Sequence, residues 1–102
     1  MNIVYLHRLV CEELDGAREY IMKACHIKDE EPVFAKTFVL MSSEELEHGK
    51  KIYEMIGTMV KEMKADCSED ACKIIDDLYE VITDDFDERY NMVKNLHSDY
   101  DR

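Results

Sequence analysis

The stretch "FAKTFVLMSSEELEHGKKIYEMIGTM", residues 34–59, sets Phe34, Phe38, Met41, Glu45, His48, Ile52, Met55 and Met59 on one line. The steps alternate between four and three, as in a helix packed against near-antiparallel neighbours. Glu45 and His48 break the line side by side on one helix face. A carboxylate and an imidazole in an apolar stripe need water or a partner, because an unpaired polar group is costly to bury.

Upstream, Pro32 in "KDEEP" suits the first turn of a new helix and cannot continue an old one. It divides a helix over about residues 32–63 from one over about 2–28. The earlier helix carries its own stripe, Ile3, Leu6, Val10, Glu13, Ala17, Tyr20, Ala24 and Ile27, in which Glu13 is the charged interruption. Downstream, "KADCSEDAC" supplies a second joint, with Asp66 and Glu69 spaced as a capping box. A third helix follows over about 67–97, with Ile75, Leu78, Ile82, Phe86, Val93 and Leu96 as its core line. The pattern predicts an all-α chain: an antiparallel hairpin plus a third helix, forming one domain over residues 1–102.

Composition narrows the function. A net charge of −11 repels phosphate backbones and anionic lipid, which excludes nucleic acid and membrane surfaces as expected partners. The N-terminus lacks the basic and apolar regions of a signal peptide, and no stretch reads as a membrane span, so a cytoplasmic protein is expected. Cys11, Cys25, Cys67 and Cys72 are accordingly expected as reduced thiols, and His7, His26 and His97 as surface residues.

A joint of a few residues makes the first two helices antiparallel neighbours. With the turn centred between Glu30 and Glu31, facing positions sum to about 61, so Glu13 lies level with His48, and Glu45 with Gly16 and Ala17; the three polar residues then agree in height within about one 5.4 Å turn. Carboxylates clustered in a stripe call for compensating cations. Two carboxylates and an imidazole, without a cysteine in the line, suit iron, manganese or zinc. The one-residue alternatives to the proposed ligands are Glu12 and Glu44.

"ELDGAREY", residues 13–20, and "EELEHGKKIYEMI", residues 44–56, resemble the first and second helices of the ferritin-like di-iron carboxylate superfamily, which includes ferritins, bacterioferritins and rubrerythrins. The likeness lies in a Glu-Leu followed by a small residue and by Tyr seven positions after the Glu, then a Glu-x-x-His, with 32 residues between Glu13 and Glu45. It implies metal ligation by Glu13, Glu45 and His48, with Tyr20 as a hydrogen-bonding or redox-active residue beside the metals. The family's second Glu and second Glu-x-x-His are missing here. Asp85 and Glu88 are poor substitutes, since the core line through Ile82 and Phe86 leaves them on its flank.

Symmetry is the better completion, and it resembles the short encapsulated ferritins, whose single Glu-x-x-His per chain completes a site between subunits. Two hairpins about a two-fold axis would form a four-helix bundle with Glu13, Glu45 and His48 from each chain, four carboxylates balancing two divalent cations. The ending "NLHSDYDR" does not resemble those proteins' docking tail, so encapsulation is not carried over. The expected function is Fe(II) oxidation with O2 or peroxide at a di-iron site in a homodimer or larger homo-oligomer. The alternatives are an iron-buffering protein using the same ligands without catalysis, and a metal-free helical interaction module.

Overall fold

Asn2 turns the chain into its first helix: its side chain accepts a hydrogen bond from the Tyr5 amide at 2.8 Å, satisfying one of the donors a helix start leaves unpaired. In a computed structural model describing residues 2–102, the chain forms α1 (Ile3–Ile27), α2 (Pro32–Lys64) and α3 (Glu69–Asp101). Pro32 stands at the start of α2 as its fixed φ and missing N–H require. The second joint differs from the expected capping box. Ser68, not Asp66, caps α3, its hydroxyl accepting from the Ala71 amide at 3.2 Å, with Glu69 and Asp70 in the first turn where the helix dipole favours negative charge. Accordingly α3 begins two residues later than expected and runs on to Asp101.

The helices run up, down and up. Ser42 meets Ala17, and Gly49 meets Leu14 and Glu13, so facing positions of α1 and α2 sum to about 61 as the short turn dictates. The third helix returns antiparallel to α2 and parallel to α1. Tyr53 stacks on Phe86 with centroids 4.2 Å apart and hydrogen-bonds Thr83 at 2.6 Å, while His7 reaches Asp85 and Lys28 the Tyr100 carbonyl. Among the described residues there is no strand, and no helix is long and apolar enough to cross a membrane.

The core keeps most of the stripe read for α1 (Ile3, Leu6, Val10, Ala17 and Ala24) and of the line read for α3, but on α2 it lies beside the stripe. On α1 the buried line is Ile3, Leu6, Val10, Leu14, Ala17, Ile21 and Ala24; on α2 it is Ala35, Ser42, Leu46, Gly49, Ile56 and Val60. Glu13, Tyr20, Glu45 and Ile52 are half-buried at its margin, whereas Phe34, His48 and Met55 are exposed. The cause is close packing. Small residues at Ala17, Ala24, Ala35, Ser42 and Gly49 let the two backbones approach, while the bulkier line is displaced to the open side. On α3, Ile82, Phe86 and Val93 are buried, Ile75 and Leu96 half-buried, and Leu78 exposed rather than core.

Cys67 and Cys72 are joined in a disulfide, contrary to the expected free thiols. One precedes the Ser68 cap and the other lies in the opening turns of α3, which brings their α-carbons to 5.6 Å, within a disulfide's span. Cys11 and Cys25 are free.

Candidate metal centre

The open side of the α1·α2 hairpin faces away from α3, because α3 occupies the flank of α1 that carries His7, Cys11 and Cys25. Glu13 lies on the open flank of α1, about 120–160° around the helix from those residues at 100° per residue. Across the seam, Glu45 and His48 lie three apart on α2 and so share a face. Glu13, Glu45 and His48 each offer a ligand atom, and these atoms lie within 4.8 Å of one another. His48 Nδ1 is 3.8 Å from Glu13 Oε2. Glu12 and Glu44 are exposed and outside the group.

Two glycines make the approach. A Cβ on Gly16 would stand 3.2 Å from Glu45 Oε2, so the bare backbone leaves the carboxylate its position. A Cβ on Gly49 would come within 2.7 Å of Leu14 Cδ2 and 3.6 Å of Glu13 Cβ. The helices therefore close on each other at the level of the three donors.

The carboxylates are close enough to perturb one another. A hydrogen bond with Glu13 is the largest cause holding the Glu45 carboxyl above its usual range, followed by burial and by the charge of Glu13; His48 pulls the other way. Metal-free, the Glu45 carboxyl therefore holds its proton more readily than an isolated one. A divalent cation would supply positive charge in the same place, which is the chemistry of a carboxylate-rich metal site. The half-buried carboxylates and the imidazole, its side chain 54% exposed, are open to solvent on one side within the single chain.

Tyr20 lies on the same open face, stacked on Phe38 at 6.0 Å between centroids. It does not belong to the ligand group: seven residues of helix separate its Cα from that of Glu13 by about 10 Å. Asp85 and Glu88 do not join either. Glu88 is exposed, and Asp85 is on the other flank of α1, held by His7 at 2.9 Å and by Arg89.

Two histidines expected at the surface make tertiary contacts. His7 pairs with Asp85, and His97 is half-buried at the centre of the bundle, where its Nε2 lies 2.9 Å from Ser42 Oγ. Ser42 donates its one hydroxyl hydrogen to the Ala17 carbonyl at 2.6 Å, so it can only accept from His97. That fixes the neutral histidine as the Nε2–H tautomer and links all three helices through one hydroxyl. The in-phase spacing of Ser42 with Ala35, Gly49 and Ile56, seven residues apart, marks it as a seam position in the sequence itself.

The chain matches no protein-family model, no curated protein and no solved structure.

Proposed function

We propose that two copies of the chain pair through the open face of the α1·α2 hairpin as a ferritin-like four-helix bundle. Glu13, Glu45 and His48 of each would bind a di-iron centre at which Fe(II) is oxidised by O2 or peroxide. The observation that carries this reading is the convergence of these three donors on the face that α3 leaves uncovered. The same face carries Tyr20, Phe38, Met41, Ile52 and Met59, half-buried, together with Phe34 and Met55, 61% and 48% exposed. Apolar side chains around a polar ligand set are what a second hairpin would cover.

The donor set fits iron: hard carboxylate oxygens with one imidazole, four carboxylates from two chains balancing two divalent ions. The metal supplies the one-electron chemistry when bound. The chain's own residues do the rest. Glu45 and His48, from one helix face, would hold an ion together; Glu13, from the facing helix, would reach the same ion and tie ligation to hairpin closure. Gly16 and Gly49 keep the facing backbones close, and the flanking methionine and phenylalanine side chains exclude water once a second hairpin lies over them. Tyr20, one helical segment away on the same face, is placed in this reading to hydrogen-bond or exchange an electron near the centre.

Fe(II) oxidation under air by the wild type and by Glu45→Ala tests the reading. Oxidation above background that is lost in the variant supports it; rates that do not differ sink it. Stoichiometric Fe(II) binding without oxidation would instead select iron buffering by the same ligands.

A further inference from the structure

On the flank of α1 opposite the proposed iron ligands, three side chains of different chemistry converge. His7 Nε2 lies 2.9 Å from Asp85 Oδ2, Cys11 Sγ lies 3.4 Å from the same oxygen, and Cys11 Sγ lies 3.6 Å from His7 Nε2. His7 and Cys11 are four apart on α1 and share a face, while Asp85 comes from α3. We propose that His7, Cys11 and Asp85 form a second, separate metal site, selective for zinc, that clips α3 to α1.

The distances fit a tetrahedral ion of zinc's size. Tetrahedral zinc, with bonds of about 2.3 Å to sulfur and about 2.0 Å to nitrogen and oxygen, sets sulfur about 3.5 Å from each lighter donor and nitrogen about 3.3 Å from oxygen. The observed separations of 3.6, 3.4 and 2.9 Å are within about 0.4 Å of those edges, so an ion could enter with little movement. A thiolate, an imidazole and a carboxylate together suit a borderline-soft ion such as zinc better than the harder set at Glu13, Glu45 and His48.

The surroundings hold the ligands in place. Arg89 Nε donates to both oxygens of Asp85 at 3.1 Å, and its Nη1 reaches Asp15 at 2.7 Å, fixing the carboxylate's orientation as outer contacts of metal sites do. The side chains of His7 and Asp85 are each 31% exposed, which leaves the group open to ions from solvent. Without an ion, burial first and then the hydrogen bond to Asp85 push the Cys11 thiol up to about 11, which makes it a poor nucleophile. Binding would release the thiol proton to solvent and displace the Nε2 hydrogen that His7 donates to Asp85, which would pass to solvent or be replaced by one on Nδ1. Thiolate, carboxylate and neutral imidazole would then surround a divalent ion, with a fourth position for water. No redox step is involved.

Cobalt(II) is the probe, because a cobalt–thiolate bond gives a near-ultraviolet charge-transfer band that carboxylate and imidazole ligands lack. The full chain, with its Cys67–Cys72 disulfide intact, should bind one Co(II) per chain with that band, and Zn(II) should abolish it by displacement. The band should vanish in Cys11→Ser and persist in Glu45→Ala, which separates this site from the proposed iron centre. Asp85→Asn, which keeps the thiol, should weaken Co(II) binding by at least about tenfold. A wild type without the band, a band that survives in Cys11→Ser, or unchanged affinity in Asp85→Asn overturns the site.

Discussion

Gly49→Ala and Gly16→Ala make the same chemical change on facing helices, and the structure assigns them opposite signs. In a helix interior the change to alanine gains about 0.8–1.0 kcal/mol, common to both. At Gly49 the new methyl would meet Leu14 Cδ2 at 2.7 Å and Cγ at 3.2 Å, and Leu14 is 1% exposed, so a core side chain would have to shift against its neighbours. Overpacking of that kind costs about 1–3 kcal/mol, leaving Gly49→Ala less stable than the wild type by about 1 kcal/mol. At Gly16 the nearest atom is Glu45 Oε2 at 3.2 Å, the end of a half-buried side chain that can swing aside. The propensity gain then survives, and the metal-free protein becomes more stable by about 0.5–1 kcal/mol. The two variants should therefore differ by about 2 kcal/mol, or roughly 8–16 °C in Tm for a chain of this size. Urea unfolding followed by far-ultraviolet circular dichroism, with chelator present, measures the difference as a shift in midpoint at constant slope. Because the propensity gain cancels between the variants, the comparison isolates the steric cost at the seam. Equal midpoints, or a Gly49→Ala protein more stable than Gly16→Ala, would refute the close approach of α1 and α2 at the candidate site.

Ser42→Ala removes the bond to the Ala17 carbonyl and leaves the His97 N–H without its acceptor, so it should cost about 1–3 kcal/mol in the same assay. Burial is the main cause lowering the pKa of His97 below 6.5, with Lys94 adding to it. The stability this neutral histidine contributes is present above pH 6.5 and is lost as pH falls toward the depressed folded value, so His97→Gln should flatten that acid-side decline in urea midpoints. Glu45 has the opposite sign: its folded pKa is raised, so the metal-free fold should gain stability from this group as pH falls through the folded value toward 4.5, and Glu45→Gln should remove that gain.

The three helices and the register of the first two were legible because Pro32 and a short turn leave the hairpin little freedom, and the Glu13–His48 pairing followed from counting outward from that turn. The phase of the core was legible on α1 and largely on α3, but not on α2. There a stripe weighted by bulk follows Phe34, Met41, Ile52 and Met55, whereas the buried line runs through Ala35, Ser42 and Gly49, whose merit is that they are small. The consequence for the site is direct: Glu45 and His48 lie on an open face of the hairpin rather than in its interior, and only a covering partner would enclose them. The His7–Cys11–Asp85 group was hidden for another reason. Its members are brought together by the rotational phase of α3 against a parallel α1, which no short turn fixes. The i, i+4 pairing of His7 with Cys11 was its only local sign. Ser68, with its hydroxyl accepting from the Ala71 amide, takes the cap that Asp66 was expected to hold.

The most direct test of the central claim is native mass spectrometry of the protein loaded with Fe(II) under anaerobic conditions, which reads assembly and metal content together. The account predicts a dimer, or a multiple of one, carrying two irons per pair of chains, with both the iron and the pairing weakened in Glu45→Ala. A chain that remains monomeric with iron present, or a dimer that carries none, would contradict it.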